Sequence, residues 1–214
     1  MAFLPDPATM VTFTLACLVL VLTPGPDMTL FVGRSLSEGR ASGMASMLGA
    51  LTGNVIHTLL IAFGLSALIA ASAQAFFVVK IAGAVYLLWL AVQSIRHGSA
   101  LSVTPDKAAR RRPLSRVFAT GVLVNLLNPK IILFFLTFLP QFVAASDPDA
   151  AAKMLFLGLY MVLFSLPFCA GMVLMAEGFS KSLRRSPRIM RAIDWLFAGI
   201  IGGFAMKILL TSRT

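Results

Sequence analysis

Apolar residues fall into six runs, at about 8–32, 41–69, 75–95, 115–139, 150–176 and 188–210. Each is as long as the roughly 20-residue helix that crosses a bilayer's hydrocarbon core. Polar and charged residues gather in the short intervals between. The first interval holds Arg34 and Arg40, the third Arg96, Lys107, Arg110, Arg111, Arg112 and Arg116, and the fifth Lys181, Arg184, Arg185, Arg188 and Arg191. The second, around Ser72-Ala73-Gln74, carries no charge. The fourth, Ser146-Asp147-Pro148-Asp149, is acidic and reads as a helix start, with Asp147 as the cap and Pro148 in the first turn. Lys and Arg concentrate in cytoplasmic loops, so the alternation places both termini outside the cytoplasm. The predicted fold is an all-α integral membrane protein of six transmembrane helices.

Two of the runs are interrupted. Thr23-Pro24-Gly25-Pro26-Asp27 breaks the first, and Asn128-Pro129 followed by Lys130 breaks the fourth. Each proline removes a backbone donor and clashes with the preceding turn, so neither helix continues through. Spans three and six share an apolar, glycine-bearing texture, Gly83-Ala84-Val85-Tyr86-Leu87-Leu88-Trp89 against Gly199-Ile200-Ile201-Gly202-Gly203-Phe204. With three spans in each half, the second half enters the membrane from the opposite side. The predicted architecture is two inverted-topology three-helix repeats with broken helices one and four. Repeat one covers about 1–97, a basic cytoplasmic loop about 98–114 and repeat two about 115–214, in one transmembrane transporter domain over 1–214.

Backbone groups freed at membrane depth persist only where they are packed in protein or line a cavity, and so do ionisable side chains. The candidate translocation site is therefore Pro24, Gly25, Pro26 and Asp27 from the first break with Asn125, Asn128, Pro129 and Lys130 around the second. Counted from Arg34, Asp27 lies about 10 Å into the membrane at a rise of about 1.5 Å per residue. Lys130 is its expected ionic partner, either as a structural pair or as a transport site. Asn54 and His57 on span two join the set; His57 is a proton relay or a hydrogen-bonded structural histidine. Amide donors and exposed half-helix ends suit a zwitterion. Ala41, Ala45, Gly49 and Gly53 recur every fourth residue and predict a helix-packing seam. Pro167 is expected to bend span five, and Glu177 and Asp194 to be interfacial partners of the fifth interval.

Composition agrees. Of 214 residues 58% are hydrophobic and 12% charged, about half the charged share of a soluble domain. The net charge of +10 sits in the loops, which argues for topology, with anionic lipid contact a further use, and against nucleic acid. Cys17 and Cys169 lie in spans and imply no disulfide framework. No Lys or Arg precedes the first span, which reads as retained rather than as a signal peptide. Zinc-protease, nucleophile-elbow, phosphate-loop and Cys/His-cluster motifs are absent, so no metal, cofactor or enzymatic activity is expected.

The Thr23-Pro24-Gly25-Pro26 run, the small-residue second span, Gly83-Ala84-Val85-Tyr86-Leu87 and Asn125-Leu126-Leu127-Asn128-Pro129-Lys130 resemble the lysine/homoserine exporter superfamily, the LysE/RhtB family of bacterial amino-acid exporters. The resemblance covers nearly the whole chain. It implies a multi-pass exporter of amino acids or related small metabolites in the bacterial inner membrane, coupled to protons as a secondary transporter, and a homo-oligomer. The loop charges would then put both termini in the periplasm. Two other functions stay open: a transmembrane thiol-disulfide reductant carrier, which would need its cysteines at equivalent places in the two halves, and a passive small-solute channel.

Overall fold

The computed structural model describes residues 5–65, 73–97, 112–143, 147–178 and 187–211. The uncharged turn at Ser72 and the basic residues Lys107, Arg110, Arg111, Lys181, Arg184 and Arg185 lie outside them. Among the described residues every regular element is helical. α1 spans Pro7–Leu22 and α2 Pro26–Glu38; α3 spans Arg40–Leu59 and continues as a π-helical turn, Leu60–Leu65. α4 is Ala73–His97 and α5 Leu114–Leu126. α6 begins at Pro129–Leu133 and runs on through a π-helical turn, Phe134–Phe138, and a 3₁₀ turn, Leu139–Phe142. α7 is Ala150–Leu174 and α8 Pro187–Thr211.

Each boundary has a local cause. Asp6 caps α1, its carboxylate accepting from the Thr9 amide at 3.0 Å and the Thr9 hydroxyl at 2.6 Å, and Pro7 follows in the first turn. α1 stops where Pro24 and Pro26 cannot donate, and α2 restarts on Pro26. The Asn128 side chain caps α6 by accepting from the Lys130 amide at 3.1 Å, with Pro129 in its first turn. The two interrupted pairs bend by 50° and 52°, and each pair taken together is long and apolar enough for a broken span or a re-entrant loop. α7 and α3 with its π-helical turn are long and apolar enough to cross unaided.

Two sequence expectations are corrected here. The first interval is not a loop: Arg34 lies within α2, ion-paired to the buried Glu38, and Gly39 alone separates α2 from α3. Its φ of +96° is open to glycine at little cost, which is what permits so tight a reversal. Asp147 does not cap α7, which starts at Ala150; it accepts from the Asp149 amide at 2.9 Å and pairs with Lys153, closing a local turn that keeps Pro148 outside the helix. Asp194 is buried in the second turn of α8, while Glu177 is exposed.

The predicted seam on α3 meets α5. A Cβ on Gly49 would lie 2.2 Å from the Phe118 carbonyl oxygen, and one on Gly121 would lie 2.3 Å from that of Ser46. Backbone therefore touches backbone, which only the missing side chains allow. α3 also packs on α2 and α7, and α4 packs on α8. Large apolar side chains such as Leu60, Phe63, Leu123 and Leu163 face outward, as a lipid-facing surface requires.

Candidate functional site

The fold brings the two helix breaks together. Because Pro24 has no N–H, the Leu20 carbonyl loses the donor that a continuous helix would supply. The Lys130 ammonium, from the other break, donates to the Leu20 carbonyl at 3.2 Å and to the Thr23 carbonyl at 2.8 Å. A cation at a helix C-terminus also meets the negative end of the helix dipole. Gly25 admits it: a Cβ there would stand 3.2 Å from Lys130 Nζ. Gly25 itself is extended, φ −163°, so its service is space rather than backbone freedom.

Asp27 binds elsewhere. Its Oδ2 accepts from Asn125 Nδ2 at 2.7 Å, and the same amide nitrogen donates to Asn54 Oδ1 at 2.9 Å. Asn125 is wholly buried and joins α2, α3 and α5. A side-by-side Asp27–Lys130 ion pair does not form; the cation goes to main-chain carbonyls and the acid to an amide. Asp27 and Lys130 still line one cavity of about 50 Å³, with Thr23, Gly25, Asn54 and Asn128. Two buried polar atoms of lining residues have no protein partner, Asp27 Oδ1 and Asn128 Nδ2; a third, Asn125 Oδ1, lies against Gly53 on α3 and outside the lining. Such atoms are rare in native interiors and mark a place where a small polar guest can bond.

His57 stands back from this cavity. Its ring stacks on Phe135, centroids 5.4 Å apart at 18°, interacts with the Asn125 backbone, and leaves Nε2 unpartnered. Pro24, Pro26 and Pro129 act through the backbone and do not line the cavity. α7 supplies a wall that sequence reasoning missed, with Met161, Ser165 and Cys169. Their spacing of four puts them on one helical face, a signal blurred by the uniformly apolar run around Pro167, through which α7 continues unbroken. Cys169 thus faces the cavity, whereas Cys17 lies in the apolar core on α1; both are free thiols.

The two ends of the bundle differ. Beyond the breaks, toward the start of α1 and the end of α6, Phe13, Phe134, Phe138, Phe142 and Tyr160 form a contiguous ring cluster with centroid separations of 5.0–6.2 Å. Tyr160 and Thr14 share a hydrogen bond of 2.8 Å across α7 and α1. At the opposite end, a cavity of about 470 Å³ opens between the ends of α2 and α7, with Ser35, Arg40 and Glu177 on its wall.

The profile of the LysE type translocator family matches residues 18–212. A homoserine/homoserine lactone efflux protein of Salmonella typhimurium is 30% identical over 188 residues, 88% of this chain and 89% of its own length. The membrane protein YahN of Escherichia coli is 31% identical, over 95% of this chain and 91% of its own. A leucine efflux protein of an Enterobacter strain is 26% identical, over 92% and 93%. No solved structure matches the chain.

Proposed function

This chain belongs to the LysE type translocator family, and we propose that it is a secondary exporter of amino acids or related small zwitterions, coupled to protons by alternating access. It is a membrane transporter and not an enzyme. The observation that carries the finer reading is the convergence of two broken helices on one small cavity with unpartnered polar atoms. Relatives carrying homoserine and leucine efflux names support the substrate class.

The helix contacts support an inverted repeat. Exchanging the halves carries α1–α2 onto α5–α6, α3 onto α7 and α4 onto α8. The first broken span packs on α7 and α8; the second packs on α3 and α4. The self-paired contacts, α3 with α7 and α4 with α8, are both present. On this reading the first-interval end, with Arg34 and Arg40, is cytoplasmic, and both termini are in the periplasm of the bacterial inner membrane. The aromatic cluster then closes the periplasmic side while the larger cavity opens toward the cytoplasm, an inward-oriented resting state. Substrate enters there and binds between the breaks; a proton exchanges at Asp27, with His57 the secondary candidate. Basic residues at the cytoplasmic ends meet anionic lipid headgroups, and the protein works as a homo-oligomer.

Reconstituted vesicles loaded with a labelled panel including homoserine and leucine test this. A pH gradient is expected to drive substrate against its own gradient, and Asp27→Asn to abolish that drive. A channel would dissipate a gradient and never build one. If Asp27→Asn and Lys130→Ala both leave uphill flux intact, the site is misplaced.

A further inference from the structure

We infer that the main-chain carbonyls of Leu20 and Thr23 are a binding subsite for a primary ammonium group, and that Lys130 is its tethered occupant in the empty carrier. The inference rests on the exporter reading and names the chemistry of one end of its substrate. Two carbonyls at the C-terminal end of α1 point to one place, within 3.2 Å of a common donor. The donor in place is an R–NH₃⁺ group, and it reaches them from another part of the chain through the cavity wall. A zwitterion's ammonium has the same three donors and the same charge.

The tether also explains why acid and cation stand apart. Lys130 is withheld from Asp27, whose Oδ1 remains unpartnered at the same cavity. An incoming ammonium takes the two carbonyls, and the displaced Lys130 has Asp27 as its nearest acidic partner in the cavity wall. One cation thus replaces another, and the carbonyls are never left bare in a water-poor interior. Loading and formation of the Asp27–Lys130 pair become the same event.

Chemical rescue tests the subsite without any transport measurement. Purified Lys130→Ala protein is heated in detergent with n-butylammonium, n-butanol or tetramethylammonium. Only butylammonium has both the N–H donors and the charge, and it is expected to raise the variant's melting temperature saturably by several degrees. Wild type, already occupied, should need at least a tenfold higher concentration for the same shift. Equal responses of wild type and variant, or equal effects of the three compounds, would overturn the assignment. If Lys130→Ala does not accumulate alone, it is expressed and purified with each compound present: accumulation with n-butylammonium but not with n-butanol or tetramethylammonium is expected, and equal yields with all three overturn the inference. Amine rescue alongside inert vesicles would retire the exporter reading alone; amino-acid flux without rescue would retire the subsite alone.

Discussion

Asn125→Ala removes the group that ties both halves to the site, and its cost can be bracketed from the structure. The wild-type amide donates at 2.7 Å to the Asp27 carboxylate and at 2.9 Å to the Asn54 carbonyl oxygen, from a position with no solvent exposure. In a water-soluble interior a bond to a charged group is worth about 1.5–3 kcal/mol and a neutral one about 1 kcal/mol, giving a loss of roughly 2.5–4 kcal/mol. Polar contacts between membrane helices average nearer 0.6 kcal/mol, because the inserted but unpacked chain also finds partners, which lowers the loss to about 1 kcal/mol. The expected destabilisation is therefore about 1–4 kcal/mol, measured by reversible unfolding in detergent–SDS mixtures. A double-mutant cycle with Asp27→Ala should return a coupling of about 1 kcal/mol or more. The same cycle with Thr52→Ala, a residue bonded only within its own helix, should be additive to within roughly 0.5 kcal/mol. Additivity in both cycles would refute the claim that Asn125 holds Asp27 in place.

Gly121→Ala drives a methyl to within 2.3 Å of a backbone oxygen that cannot rotate away, so α3 and α5 must part. A loss of about 1–3 kcal/mol is expected, read as a lowered melting temperature. Gly171→Ala on α7, with open space around its Cβ position, should be neutral or stabilising. At the N-terminus, hydrogen bonds from the Thr9 hydroxyl and amide hold the exposed Asp6 carboxyl below its ordinary value of 3.8. The folded value being depressed, the cap's stabilisation is whole above the unfolded value and is lost as pH falls through the lowered folded one. Protection factors of the Thr9 and Met10 amides, referred to their intrinsic exchange rates, should fall in that acid window, and Asp6→Asn should remove that fall.

The breaks were legible because proline acts locally: Pro24, Pro26 and Pro129 remove donors whatever surrounds them. The glycine seam was legible for a similar reason, since Gly49 and Gly53 recur on one face. What fills the freed groups is a tertiary matter. Opposite charges in matching places made an Asp27–Lys130 pair the natural expectation, yet Lys130 goes to the Leu20 carbonyl, whose helical donor Pro24 removes, and to the Thr23 carbonyl at the end of α1. Asn125 was read as one amide among several, and nothing in its neighbours marks it as the group that spans three helices. Ser165 and Cys169 were hidden in an apolar run, and the tight turn at Gly39 beneath a charge-bearing interval that looked like a loop.

A break in a membrane helix is a local loss, and the way this chain offsets it bears on the alternating access proposed above. The first break is held by an ammonium from the second half, and its acid by an amide from the second half. The first half does not satisfy its own site. Rocking one half against the other therefore strips polar groups on both sides at once, each at a cost of order 1–3 kcal/mol when buried. A substrate with an ammonium at one end and a carboxylate at the other supplies a donor for the carbonyls and an acceptor for an amide such as Asn128 Nδ2, which now has none. Binding a zwitterion would lower the cost of parting the halves, whereas a solute lacking either charge would leave one side bare. Selection for zwitterions and permission to move would then have the same physical origin.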